Sequence, residues 1–215
     1  MTALPAPLLV ITDRHQARLP TEAIVDAVGR GGGRWLQVRD RDLERSERER
    51  LAVRLTRVAR SHGMHVSIGA DVELAAALGA SVHLQSADTV SSARRRLGAD
   101  AVIGVSAHGL AEAAAAAAAG ADYVTLSPIF LTASKPGYGP ALGLAAIEAA
   151  AKLDVPVLAL GGVVARNTGP CLAAGASGVA VMGEIMRSSD PAEMVRRFVA
   201  AMEAGTQGVQ TRNSA

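Results

Sequence analysis

The sequence predicts a single α/β domain, a closed (β/α)8 barrel of the TIM type, and three observations carry that expectation. Short β-branched runs alternate eight times with longer amphipathic or alanine-rich segments along the 215 residues, a pattern of parallel strands joined by helical crossovers. Eight such units at this length close a barrel somewhat smaller than usual, with an open doubly wound sheet as the alternative. Polar and glycine residues gather where the strand-like runs end, which is the rim on which barrels carry their sites. No linker, charge block or composition shift divides residues 1–205, and residues 206–215 form a polar tail expected to be disordered.

The elements follow in order. Leu8–Thr12 is the first strand, and Thr21–Gly29 a helix with Thr21 as its cap. Gly31-Gly-Gly33 is a turn and lacks the third glycine of a dinucleotide fingerprint. Trp35–Val38, His65–Ile68, Ser81–Leu84 and Ala101–Val105 are strands two to five. Between and after them come helices over Ser46–His62, with Leu51, Leu55 and Val58 on one face, Val72–Leu78, Thr89–Leu97 and Leu110–Ala119. The alanine run of the last of these is low in complexity but rich in the best helix former. Tyr123–Leu126 is strand six, Leu144–Lys152 a helix, Val155–Leu160 strand seven, Asn167–Ala174 a helix and Gly178–Val181 strand eight. Pro191–Ala204 is the last helix, with Met194, Phe198 and Met202 on one face.

Composition excludes several classes. Hydrophobic residues make up 49% but aromatic residues only 2%, so the core is packed from Ala, Val, Leu and Ile. A net charge of +2 is too weak a bias for nucleic acid, and base stacking needs rings that the chain lacks. The single cysteine, Cys171, rules out an internal disulfide framework and suits a reducing compartment. No apolar run reaches membrane-spanning length, and the first, Leu8–Ile11, is too short for a signal peptide. A soluble, cytoplasmic protein is expected.

The most informative stretch is the loop Ser127–Gly139 after strand six. It offers two hydroxyls, Thr132 and Ser134, beside the ammonium of Lys135, and Pro136, Gly137, Gly139 and Pro140 keep it out of regular structure. Hydroxyl and backbone donors with one mobile positive charge suit an anion. Other rim positions are Gln37, Arg39, Asp40 and Arg41 after strand two, His83, Gln85 and Asp88 after strand four, and Ser106 and His108 after strand five. Gly161, Gly162 and Gly183 after strands seven and eight have the character of the usual barrel phosphate site, and Arg39, Arg41 and Lys135 of a second, more cationic one. Plainer readings stand beside these. Gly161-Gly162 also fits a tight turn, Arg39–Asp42 a salt-bridged turn, and His83 a core histidine. His108 also fits a helix-end partner, Asp88 a helix cap, and Cys171 simple packing. There is no H-E-x-x-H, cysteine pair or Ser-His-Asp spacing to suggest other chemistry.

Eight segments in register resemble one family. They include Gln37-Val-Arg-Asp-Arg41, Val82-His-Leu84, Gly104-Val-Ser-Ala-His108, Ser127-Pro-Ile-Phe130, Thr132-x-Ser-Lys-Pro136 and Leu160-Gly-Gly-Val163. Together they resemble thiamine phosphate synthase and its sister TenI, a thiazole tautomerase. The resemblance implies that a pyrimidine methyl diphosphate loses pyrophosphate with Mg²⁺ assistance and that the nitrogen of a thiazole phosphate captures the pyrimidine cation. It implies that Gln37, Arg39, Arg41 and Lys135 hold the diphosphate with Ser106 nearby. Thr132 and Ser134 would contact the thiazole, and Gly161 and Gly162, with the backbone near Met182 and Gly183, its phosphate. Asp88 would be a metal ligand, His108 a top-face base if the chain is a tautomerase, and relatives suggest a homodimer.

One departure stands out. Where the family has Asn-Asp-Arg after strand three, with the Asp a magnesium ligand, this chain has Gly69, Ala70 and Asp71. The loss leans toward TenI, whereas Pro128 and the Thr132–Lys135 segment are synthase-like. The resemblance implies a synthase-like enzyme of thiamine biosynthesis as the first reading, with a metal-free tautomerase and a barrel that binds thiazole or thiamine phosphate without catalysis as the alternatives.

Overall fold

The structure, a computed structural model, describes residues 3–40, 42–132 and 140–213, with side chains as far as residue 205. Eight strands, β1 (Leu8–Ile11), β2 (Trp35–Val38), β3 (His65–Gly69), β4 (Ser81–Leu84), β5 (Ile103–Ala107), β6 (Tyr123–Leu126), β7 (Val157–Leu160) and β8 (Gly178–Val181), close a barrel. Each pairs in parallel with the next, and β8 pairs with β1 through Leu8 and Val179. Helices α1 (Thr21–Arg30), α2 (Arg45–Ser61), α3 (Val72–Leu78), α4 (Val90–Leu97), α5 (Leu110–Ala118), α6 (Gly143–Ala150), α7 (Ala165–Ala173), α8 (Gly183–Met186) and α9 (Pro191–Asn213) complete the described chain. The expected barrel is the observed one.

Successive strand residues point to opposite faces, and here the two faces form two separate cores. Val10, Leu36, Val66, Val82, Val105, Val124, Val157 and Val179 join the apolar faces of the helices in the larger core. Leu9, Ile11, Trp35, Tyr123, Leu158 and Ala180 fill the barrel interior. The interior also has a polar sector from β2 to β6, where Gln37, Ser67, His83 and Thr125 are all buried. His83 is thus a satisfied interior residue, with Nδ1 2.9 Å from the Tyr123 hydroxyl and Nε2 3.0 Å from Ser106 Oγ.

Two large rings cross this interior. Trp35 and Tyr123 meet edge to face with centroids 4.8 Å apart, and Trp35 Nε1 donates to Ser67 Oγ at 3.0 Å. Room for Tyr123 comes from Gly104, its register partner on β5. A Cβ at Gly104 would lie 2.1 Å from Tyr123 Cζ.

Several boundaries differ from the sequence reading. β5 lies two residues later than Ala101–Val105, which puts Ser106 inside the strand rather than beyond it. β7 starts at Val157 rather than Val155, because Pro156 has no N–H for the ladder and contributes only its carbonyl, which accepts from Val124 N at 2.9 Å. Thr21 is the first helical residue after Pro20 and is buried, not a cap. α7 starts at Ala165, with Asn167 turned back to bond the loop before it. α8 has four residues, too few for a periodic signal. α9 runs past Ala204 to Asn213. Gly205 does not end it: a Cβ there would lie 2.9 Å from Leu172 Cδ1 and 3.5 Å from Gly169 Cα, so this glycine lets α9 lie close on α7. Cys171 is buried in packing as expected, and burial pushes its thiol up to about 11.

Replacing Gly104 by Ala should cost about 1–3 kcal/mol, the scale of overpacking a tight core. Urea denaturation measures it; a midpoint equal to wild type would show that the Tyr123 ring is not confined as described.

Candidate active site at the barrel mouth

At the carboxyl ends of β1, β6, β7 and β8 lies a cavity of about 280 Å³. Arg39, Thr132, Gly161, Gly162, Met182 and Gly183, six positions picked from the sequence, line it together. Gln37, Asp88, Ser106 and His108 do not line it. Arg41, Ser134 and Lys135 lie outside the described residues.

Arg39 is set by a buried tie between the first two βα loops. Its N–H donates to Thr12 Oγ1 at 3.0 Å, and that hydroxyl donates to Asp40 Oδ2 at 2.7 Å. Asp40 Oδ1 accepts from Arg14 N at 2.8 Å. Asp42 pairs with the Arg14 guanidinium and, at 2.8 Å, with His15 Nε2. Arg14 first and His15 second hold the Asp42 carboxyl well below the usual range. Among the described residues the carboxylates of Asp40 and Asp42 pair with Arg14 of the first loop and not with Arg39. Arg39 has no ion pair among the described residues, and it lines the cavity.

Gly161 and Gly162 have φ of +90° and +64°, a region where glycine is favoured. Space demands glycine as well. A Cβ at Gly162 would lie 2.4 Å from the Leu131 carbonyl oxygen, and one at Gly161 2.8 Å from Pro128 Cα. The β6 and β7 loops are further joined by Ile129 N donating to Leu160 O and Phe130 N to Gly161 O, both at 2.9 Å. Asn167 grips the far side of this turn: Oδ1 accepts from Val164 N at 2.7 Å, and Nδ2 donates to Gly162 O at 3.0 Å. The neck of the β6–α6 loop is closed by Leu142 N to Pro128 O at 2.8 Å and Gly143 N to Ile129 O at 3.0 Å.

Sequence reasoning missed three charged lining residues: Arg166 at the start of α7, and Glu184 and Arg187 in and after α8. Arg187 is bonded to Gln16 and lies 3.9 Å from Glu184. Arg166 is exposed on the rim. The one available signal was a basic residue shortly after each of strands seven and eight.

The remaining candidates lie elsewhere on the rim. Gln37 is 2% exposed, and its Oε1 has no hydrogen-bond partner among the described residues; a buried acceptor left unmade is costly unless a ligand or water completes it. Ser106 is bonded to His83. His108 sits at the start of α5, where its N–H and Nδ1 lie 2.8 and 3.0 Å from Glu112 Oε2, the helix-end reading. Asp88 is exposed in a single 3-10 turn (Ala87–Thr89), and its Oδ2 accepts from Ser86 Oγ at 3.0 Å. Asp71 caps α3 through Leu74 N at 3.0 Å and pairs with Arg48 at 2.9 Å. Ala70 has φ +62° and donates its N–H to His83 O.

The fold and this cavity define a (β/α)8-barrel enzyme. Within that class, the chain belongs to the thiamine monophosphate synthase family, whose profile matches residues 8–185. It is 42% identical over 177 residues to a thiamine-phosphate synthase of Chromobacterium violaceum, covering 81% of this chain and 85% of that one. It is 37% identical over 195 residues to one from Thioalkalivibrio sulfidiphilus, covering 89% and 90%. The solved structure of a thiamine phosphate pyrophosphorylase from Pyrococcus furiosus matches with TM-score 0.81 and 26% identity over 92% of this chain and 96% of that one. Among the described residues no helix is long and apolar enough to cross a membrane.

Asn167→Ala removes both bonds that hold the glycine turn. The Val164 amide should then exchange with solvent about tenfold faster or more, the equivalent of one lost hydrogen bond. Unchanged exchange would mean that the turn is held without Asn167.

Proposed function

We propose that this chain is a thiamine-phosphate synthase, a transferase that joins hydroxymethylpyrimidine diphosphate to thiazole phosphate and releases pyrophosphate. The observation that supports it best is the convergence of loops after β2, β6, β7 and β8 on one cavity that holds Arg39, Thr132 and the Gly161-Gly162 turn. In this reading the thiazole phosphate lies against Gly161, Gly162, Met182 and Gly183, with Thr132 and Ser134 on the ring. Gln37, Arg39, Arg41, Lys135 and Ser106 take the diphosphate. The bond from the pyrimidine methylene carbon to the diphosphate oxygen breaks, the electron pair leaves with pyrophosphate, and the thiazole nitrogen forms the new bond to that carbon. Such a step needs positioned positive charge on the leaving group and little proton transfer.

Magnesium suits this set in one way. Among the described residues there is no group of three or more His, Cys, Asp or Glu side chains that could hold a metal unaided. Asp71 is committed to a helix cap and to Arg48, so Asp88 is the carboxylate that would hold the ion, together with diphosphate oxygens and water, as Mg²⁺ commonly binds. When bound it would neutralise charge on the departing pyrophosphate. With Ala70 in place of a second carboxylate, weaker metal affinity follows. The tautomerase reading has less support, because His108, its base, is engaged by Glu112 and does not line the cavity. The protein is expected to work in the cytoplasm, and a homodimer is part of the proposal.

Incubation with both substrates and Mg²⁺ should release pyrophosphate in step with thiamine phosphate. Lys135→Ala should slow turnover by about 10²–10³-fold, the scale for one positioned donor. A wild-type rate in that variant would remove Lys135 from the site, and no pyrophosphate at any Mg²⁺ concentration would overturn the synthase reading. Ala70→Asp should lower the Mg²⁺ concentration for half-maximal activity, and Asp88→Asn should abolish that gain; a titration unmoved by Ala70→Asp would place the metal elsewhere.

A further inference from the structure

Two successive backbone amides at the cavity have no acceptor. Among the described residues neither Gly162 N nor Val163 N makes a hydrogen bond, although Val163 is only 4% exposed and both residues line the cavity. Unpartnered amides at such depth are rare and are commonly completed by a ligand or ordered water. Their direction is set by the carbonyls they share a peptide with. A trans peptide is planar, so its N–H points away from its C=O. The Gly161 carbonyl is turned to the β6 loop, where it accepts from Phe130 N at 2.9 Å, and the Gly162 N–H points the other way. The Gly162 carbonyl is turned to Asn167, whose Nδ2 donates to it at 3.0 Å, and the Val163 N–H points away from Asn167. Asn167 itself does not line the cavity.

The side-chain amide of Asn167 has one way to sit. The Val164 N–H can only donate, and the atom 2.7 Å from it is therefore Oδ1. That leaves Nδ2 for the Gly162 carbonyl. We propose that Asn167 is a positioning residue for phosphate recognition, holding the Gly162–Val163 peptide so that its N–H meets the anion beside the Gly162 N–H. A restraint is needed here because Gly162, at φ +64°, has no side chain to resist rotation of the peptide that follows it. Turned over, that peptide would offer the phosphate a carbonyl oxygen, an acceptor against an acceptor. One side-chain N–H thus decides whether the turn attracts or repels an anion. The inference rests on the proposed thiazole phosphate site and names the residue that gives the site its preference for the phosphate.

Calorimetry with thiazole phosphate and with its dephosphorylated alcohol separates this role from a merely structural one. Wild type should prefer the phosphate. Asn167→Ala should weaken the phosphate about tenfold, the scale of one hydrogen bond to a charged group, and leave the alcohol within about twofold. Asn167→Asp keeps an acceptor for Val164 N but loses the donor to the Gly162 carbonyl, so its loss should be at least as large. If Asn167 served only to start α7, Asp would replace it without loss, because a carboxylate suits the first turn of a helix. The loss in Asn167→Asp should persist at high salt, where direct repulsion between the new carboxylate and the phosphate is screened. In proton–nitrogen NMR of wild type, the Val163 amide should shift on adding the phosphate and not on adding the alcohol. An unmoved Val163 amide, variants that keep the wild-type preference, or an equal loss for both ligands overturns the inference alone. A wild type that binds both ligands equally overturns the proposed phosphate site, and this inference with it.

Discussion

Space inside the barrel is the constraint on which the mouth depends. The chain has one Trp, two Tyr and two Phe, and it places two of these five rings, Trp35 and Tyr123, across one interior. An eight-stranded barrel has room for one layer of side chains at a time, so a second large ring needs a neighbour with none, and Gly104 is that neighbour. The arrangement brings the phenol to His83 and His83 to Ser106. A glycine deep in β5 thereby bears on a hydroxyl near the rim.

At the rim the same economy governs charge. Arg14 takes Asp40 and Asp42, and Asp71 is taken by Arg48 and by the start of α3. The carboxylates nearest Arg39 in sequence are therefore spent on structure, and among the described residues Arg39 lines the cavity without an ion pair. The β6 and β7 loops are also one body, because the Leu131 carbonyl occupies the space that any side chain at Gly162 would need. A ligand held by one loop is placed by the other.

Much of the architecture was legible because strand alternation survives small errors in strand ends. β5 lies two residues from its expected position, and a shift of two leaves every side chain on its own face. Ser106 accordingly stayed among the site candidates although it lies in the strand. The short helix Gly183–Met186 carried no periodic signal, and the polar residues after Gly205 gave no apolar face from which to extend the last helix. Arg166, Glu184 and Arg187 were passed over because they belong to helix starts and turns, where single charges are common, and only the closed barrel brings them to one cavity. The orphaned Oε1 of Gln37 is of the same kind: sequence can nominate the residue, but an unmade bond exists only in the packed state.

Closure itself has a consequence for how the protein is made. Every strand but the first finds its first partner one helix earlier in the chain, whereas the second edge of β1 waits for Val179 and its neighbours. During synthesis the first strand keeps one bare side of amides and carbonyls until β8 leaves the ribosome, and such an edge pairs readily with other chains. Two prolines, Pro5 and Pro7, stand directly before it, and the Pro7 carbonyl already accepts from Val179 N in the finished barrel. Residues that cannot donate to a ladder thus guard the nascent edge on its approach, and the carbonyl of one of them helps to seal the ring at the end.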